Sequence, residues 1–354
     1  MRHMLSSQTR LPVTFLIVPL CFSVLVSCSR SRLSRRLTDQ VSITNEIKLG
    51  RAEPYDFEIE PPRVALDLTF SHDGSALFVR RRDGSLERWR LADGAMEVLE
   101  QGAKALDISV SGRTLAIVEG SGRAVLKHTA DDEQMDLGEM MDVQHVATND
   151  HGNVAISSGD NRIKLLATPL SVETKLPVRN GLAISADGRV IAAATGQYVA
   201  EEVAGDGATV GHRGTIEVHN LNTGKQTIHD TSGTILGMWQ IHISNNRLAT
   251  TSQTNARSGL VVWDLASGQQ LFSRGGFDSY WVRALAMTRD GRMLLSGDER
   301  GWLRLWDIEH DQLLLERRES LPIQSTAISG NQELIAWGSW NALVHVGQLT
   351  GVSR

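Results

Sequence analysis

Two cysteines, Cys21 and Cys28, are the only thiols in the chain, and both lie near its start. Disulfides and thiolate zinc sites are therefore excluded from everything that follows them. The eleven histidines are dispersed. No pair has the His-Glu-x-x-His spacing that turns two imidazoles toward one metal from a single helix face. His72, His151 and His310 stand in turn sequences, where solvation is expected; His219 and His242 stand in apolar runs, where packing and hydrogen bonding are expected. A nucleophilic serine elbow would read Gly-x-Ser-x-Gly, and a phosphate loop would join a strand to a helix; neither occurs. The glycines around Asp206 fall in an expected loop, and no Cys-x-x-Cys-His haem attachment is present. These residues argue against an enzyme and imply no metal and no cofactor.

The thiol of Cys28 has the one suggestive setting. Arg2 and Arg10 precede an apolar stretch from Leu11 to Val26, the length of a signal-peptide core and slightly short for a spanning helix. The stretch ends Leu25-Val26-Ser27-Cys28, which resembles a bacterial lipobox. The resemblance implies that Cys28 takes a diacylglyceryl group, becomes the new N-terminus and gains a further acyl chain such as palmitate. Residues 1–28 then form a lipoprotein signal, and the acyl chains hold the protein at the bacterial cell envelope. Arg30, Arg32, Arg35 and Arg36 crowd the far side of the apolar run. By the positive-inside rule this bias favours a second reading, a signal anchor with the following chain facing the cytoplasm. The arginines fit the first reading too, against anionic headgroups beside the anchor. A net charge of −5 implies no bulk attraction to nucleic acid.

The elements that would position any site repeat about every 40 residues, as four short strands per unit do in a propeller. Aligned on the residue that ends its first strand, each unit is marked by Phe70, Val110, Ala147, Ile184, Ile243, Met287 or Ile328, giving seven units. First turns such as Ser71-His72-Asp73-Gly74 and Thr288-Arg289-Asp290-Gly291 favour positive φ and tight hairpins. Third strands alternate and end on an aromatic residue, as in Leu86-Glu87-Arg88-Trp89, Leu260-Val261-Val262-Trp263 and Leu303-Arg304-Leu305-Trp306. Trp263-Asp264 and Trp306-Asp307 make the units resemble WD repeats over residues 61 to 347. The resemblance implies an all-β, seven-bladed β-propeller of four-stranded antiparallel blades, monomeric, spanning residues 61–349. Trp89, Trp263, Asp264, Ser296, Trp306 and Asp307 take structural blade positions in it. The family's Trp–Ser–His–Asp tetrad is incomplete: Arg300 stands where the turn Asp is expected.

The chain ends soon after a third strand, so the last blade lacks its outer strand. The resemblance implies that an N-terminal segment supplies it and removes an exposed edge. Residues 29–60 read as a tether, within which Val41 to Leu49 or Tyr55 to Ile59 is expected to join the sheet.

Binding is expected on the face where the turns between second and third strands open beside the inter-blade loops. An insertion in the fourth unit, Gln197 to Arg213, brings Tyr198, Glu201, Glu202, Asp206 and His212 there as a loop. Tyr280 and Trp281 precede the sixth unit, and Trp340 lies in the corresponding loop of the seventh. Tyr280 and Trp340 are expected at the surface, whereas Trp239 and Trp281 also fit the start of an inner strand packed between units. Large aromatics on such a face serve as interface anchors. The expected function is that of a membrane-anchored scaffold binding a membrane-associated protein partner. A small-ligand binder or enzyme using the central channel is the rival, which His, Asp or Glu on the channel strands would favour.

Overall fold

The recurring turn sequence has a recurring structure. In the first blade, Ser71 Oγ donates to Asp73 Oδ1 at 2.6 Å, and the Ser75 N–H donates to the same oxygen at 3.0 Å. The Ser185–Asp187 and Thr288–Asp290 pairs repeat the first contact at 2.6 Å each. The glycine that follows, Gly74, Gly188 or Gly291, sits at φ of 72°, 69° or 74°. That left-handed conformation is open to glycine at little cost and closes the hairpin between first and second strands.

The computed structural model describes residues 41–54, 62–109, 112–129, 133–160, 162–166, 173–175, 181–202, 208–235, 240–253, 258–275 and 281–352. They form seven four-stranded antiparallel sheets, the blades of a β-propeller, within the compact unit Asp39–Arg354. Blade one is Ala65–Phe70, Ala76–Arg81, Leu86–Arg90 and Met96–Glu100. Blade two is Ala105–Ile108, Thr114–Val118, Arg123–His128 and Gln134–Glu139, and blade three Val143–Thr148, Val154–Ser158, Arg162–Leu166 and Glu173–Lys175. Blade four is Gly181–Ile184, Val190–Glu202, Ala208–Asn220 and Gln226–Ile235, and blade five Ile241–Ser244, Arg247–Gln253, Ser258–Asp264 and Gln270–Gly275. Blade six is Val282–Met287, Met293–Asp298, Trp302–Asp307 and Gln312–Arg318. Blade seven takes Ile323–Ile328, Leu334–Ser339 and Val344–Thr350 from the C-terminus, and its outer strand is Ser42–Leu49. The closing strand expected from the tether is therefore its first candidate; Tyr55 to Ile59 falls outside the described residues, as do Val110 and Cys28.

Apolar residues of neighbouring blades meet in shared clusters. Leu295, Leu303 and Leu305 of blade six pack with Ile323, Ile335 and Trp337 of blade seven in one cluster. Ala327, Val344 and Val346 of blade seven pack with Leu68, Leu77 and Val79 of blade one in the next. Each blade thus shields its neighbour, which is why the units form one array. The approach is close: a Cβ on Gly112 would lie 1.9 Å from the Phe70 carbonyl oxygen, and its φ is 68°.

Polar contacts join the same seams. The Thr148 N–H of blade three donates to Asp107 Oδ2 of blade two at 2.7 Å, and the Leu285 N–H of blade six donates to Gln240 Oε1 at 2.7 Å. Ser325 Oγ of blade seven donates to the Ala65 carbonyl at 2.8 Å. Arg81 and Glu87 of blade one are almost wholly buried, 2.9 Å apart, and Arg81 Nη1 donates to the Ala342 carbonyl of blade seven at 2.7 Å.

Ring closure has its own device. The closing strand carries a bulge between Thr44 and Ile47, with Asn45 at φ 50°. The bulge sets Glu46 between Arg317 Nη1 at 2.7 Å and His345 Nδ1 at 2.8 Å. His345 stacks on the fully buried Trp337 with ring centroids 5.1 Å apart, and the Arg317 guanidinium lies 5.0 Å from the Trp337 ring.

The aromatic and acidic residues that end the third strands make local contacts. Trp306 Nε1 donates to Ser296 Oγ at 3.3 Å. Asp264 accepts the Ser267 N–H at 2.7 Å, and Asp307 accepts the Glu309 N–H at 2.9 Å, each closing the turn after its third strand. Trp263 is buried, and Trp89 Nε1 donates to Glu87 at 2.8 Å. Asp298, two residues before Arg300, organises the blade-six turn by accepting the Arg300 and Trp302 N–H groups, both at 2.9 Å.

Candidate interaction face and channel

Up-and-down threading places every turn between second and third strands at the end where inner strands begin. Backbone bonds fix them together: Glu299 N–H to the Trp281 carbonyl at 3.1 Å, Glu319 N–H to Gly301 at 2.8 Å, and Trp340 N–H to Pro322 at 3.0 Å. Those three bonds assemble a continuous surface from blades six and seven. At its centre the Arg283 guanidinium lies 4.7 Å from the Trp281 ring and 5.0 Å from the Trp340 ring. Such stacking is worth about 0.5–2 kcal/mol and fixes the plane of the guanidinium. Burial, and then the charge of Arg283, pull the Arg82 guanidinium of blade one below its ordinary value, so blade one borders the same region. Farther out, Trp302 lies between Arg304 at 5.0 Å and Arg318 at 5.4 Å.

This surface corrects one expectation. Trp340, expected to be exposed, is only 7 % accessible, because its turn folds over Pro322 and its ring carries Arg283. Trp281 is half-buried and immediately precedes the inner strand of blade six. Tyr280 lies outside the described residues, as do Asp206 and Trp239.

A second correction concerns the insertion in blade four. It is a hairpin, not a loop: second and third strands continue in register through Gln197↔Arg213, Tyr198↔His212, Glu201↔Thr209 and Glu202↔Ala208. The alternation of Tyr198-Val199-Ala200 with Thr209-Val210 suits paired strands, and the glycines nearby masked that signal. The structure does not bring the pairs Tyr198↔His212 and Glu201↔Thr209 into backbone pairing with the Trp281–Trp340 surface.

The seven inner strands line an axial cavity of about 420 Å³. Asp67, Arg80, Asp107, His145, Gln240 and His242 contribute polar groups to its wall. Arg80 Nε donates to Asp67 Oδ2 at 2.6 Å. Burial pushes the Asp107 carboxyl up to about 7, with the Asp67 charge adding to it against the Thr148 N–H. Burial also lowers His242, against the pull of Asp67, so its imidazole is held toward the neutral form. His242, read as packed in its strand, is half-buried on the inner strand of blade five and also lines the channel. The two exceptional residues had a signal in the chain. The structure ends the first strands of blades two and three at Ile108 and Thr148, not at Val110 and Ala147, and on that alignment four blades carry Ala147, Ala183, Ala286 and Ala327 two residues before the first turn, whereas blades two and five carry Asp107 and His242. Among the described residues no group of three or more His, Cys, Asp or Glu side chains is arranged to hold a metal ion.

Residues 268–307 match the family model described as WD domain, G-beta repeat. The match runs from the outer strand of blade five through the third strand of blade six, so the chain is a β-propeller that carries a WD repeat. No curated protein matches the chain. Among solved structures, the hydrazine synthase of Kuenenia stuttgartiensis is similar with a TM-score of 0.61 and 13 % identity, over 85 % of this chain and 100 % of that one. At that identity the likeness concerns the fold alone.

Proposed function

We propose that the protein is a scaffold, exported and held at a bacterial envelope membrane by acyl chains on Cys28, that docks another protein on the loop face of blades six and seven. The Trp281–Arg283–Trp340 stack carries this reading. A guanidinium fixed between two indoles is ordered before any partner arrives, which lowers the entropic cost of binding through it. WD-repeat propellers in general serve protein–protein interaction, and the anchor would confine the docking face to the membrane plane and raise its local concentration.

Crosslinking in the native host tests the reading: wild-type protein should give a defined crosslinked partner, and Arg283→Ala should lose it. Recovery of no partner by wild-type protein would end the scaffold reading. Mass spectrometry of the mature N-terminus should find acylated Cys28. An intact Met1 would instead support the signal anchor and a cytoplasmic propeller, the orientation that the Arg30–Arg36 cluster favours.

A second reading is favoured by Asp67, Asp107, His145 and His242 on the channel wall. There the propeller binds a small polar ligand, or acts on it, along its axis. Calorimetric titration of wild type and His242→Ala with small polar metabolites separates this reading from the first.

A further inference from the structure

The axial cavity is built in two polar tiers. The first turns open at Ser71, Ser109, Asn149, Ser244, Thr288 and Ser329, which puts the inner strands of those blades in a common register. Four residues before the turn stand Asp67, His145 and Gln240, and two residues before it stand Thr69, Asp107 and His242; all of them line the cavity. Two residues of strand separate the tiers by about 6.6 Å along the axis. Ala286 and Ala327 share the second tier, and their small side chains leave it wide. The Asp67 charge acts on both Asp107 and His242, so the tiers face one volume. That volume, about 420 Å³, falls within the range of small-molecule sites, about 300–1,000 Å³.

The wall mixes donors with acceptors, and its charges balance. Arg80 Nε donates to Asp67 Oδ2 at 2.6 Å, while Asp67 Oδ1 takes no hydrogen bond among the described residues. Gln240 Oε1 accepts the Leu285 N–H, which leaves the Nε2 donor open among the described residues. His242, held toward its neutral form, offers one donor and one acceptor, and no described residue engages either. Thr326 lines the same wall between the tiers and is only 6 % accessible, yet its hydroxyl has no partner among the described residues. A buried polar group of that kind calls for a partner. The carboxylates Asp67 and Asp107 are matched by the cations Arg80 and Lys104 on the same wall. An anionic ligand would meet the first pair and a cationic one the second, whereas a hydroxyl donates and accepts without charge. We infer that the axial cavity binds a neutral polyhydroxyl molecule of about one sugar ring, its hydroxyls spanning the two tiers to meet Asp67, Gln240, His242 and Thr326. This ligand class rests on the channel reading and goes beyond it.

The test uses the full chain and ligand-observed NMR titration with glucose, galactose, mannose, xylose and myo-inositol. Glucosamine and glucuronate serve as charged counterparts of glucose. At least one neutral compound should saturate the wild-type protein. The charged counterparts should bind about tenfold more weakly or not at all, since each would bury its charge beside a like one. Thr326→Val keeps the shape of the side chain and removes the unpartnered hydroxyl. Its melting should match wild type while its affinity for the neutral ligand falls about threefold to tenfold. His242→Phe keeps a ring, removes both nitrogens and should weaken binding at least as much. Affinity that neither variant lowers would overturn the inference. Tighter binding of glucosamine or glucuronate than of every neutral compound would overturn it too, and would leave the channel reading standing with a charged ligand. Binding of none of these compounds, neutral or charged, would remove the channel reading as well.

Discussion

Glu46 and His345 meet at 2.8 Å although they stand 299 residues apart, so one side-chain contact ties the start of the propeller to its end. Arg317 completes the set from blade six. Glu46→Ala should therefore loosen ring closure, costing about 1–3 kcal/mol as a part-buried acceptor of two bonds is lost. Chemical denaturation of wild type and variant measures the difference. Burial pushes the Glu46 carboxyl up, but the hydrogen bonds from Arg317 and His345 outweigh it and hold the group below its ordinary value. A depressed folded-state value means that stability is present above the ordinary glutamate range and fades as pH falls through the folded value. Glu46→Gln should flatten that acid limb.

Asp107 has the opposite sign. Its carboxyl is pushed up to about 7, first by burial and then by Asp67, so ionisation is resisted in the folded state. Wild-type stability should decline as pH rises from the ordinary aspartate range through 7. Asp107→Asn keeps an oxygen for the Thr148 N–H and removes the charge. Thermal melts at pH 8 should show the variant a few degrees more stable, with the advantage vanishing in acid.

The buried Arg81–Glu87 pair should behave asymmetrically. Glu87→Gln leaves Arg81 enclosed without its counter-charge and should cost about 3–5 kcal/mol. Arg81→Met combined with Glu87→Leu should recover part of that loss, because both buried ions are removed, while Arg63 and Trp89 Nε1 each lose the acceptor they have on Glu87. A double-mutant cycle in denaturant checks the pair.

Trp306→Phe should cost less than Trp337→Ala. The first removes a hydrogen bond to Ser296 at 3.3 Å and should lose about 1 kcal/mol. The second empties a fully buried site between His345 and Arg317 and should lose about 3–5 kcal/mol. Calorimetric melting of both variants ranks them.

The architecture was legible because it is written in local chemistry. Asp-Gly turns, alternating third strands and Trp-Asp endings each declare a hairpin without reference to distant residues, and the missing outer strand of blade seven foretold closure from the N-terminus. The surface was less legible for a physical reason. Whether Trp340 is exposed depends on Arg283 and Pro322, which belong to other turns, and no spacing in the chain records that meeting. The Gln197 to Arg213 insertion was misjudged because glycine marks both loops and close-packed strands. The channel is read from the sequence but its polar residues are not, because a lone Asp107 and a lone His242 look incidental until ring geometry brings their strands around one cavity.

Among the described residues, the strand Ser42–Leu49 comes first in the chain, yet its sheet neighbour, Val344–Thr350, comes last. During synthesis this strand must wait, unpaired, until Val344–Thr350 has been made. The six central blades can assemble around it in the meantime, but the circle cannot lock. A chain cut before Val344–Thr350 would leave Ser42–Leu49 without its partner strand and expose sheet edges in place of a closed ring.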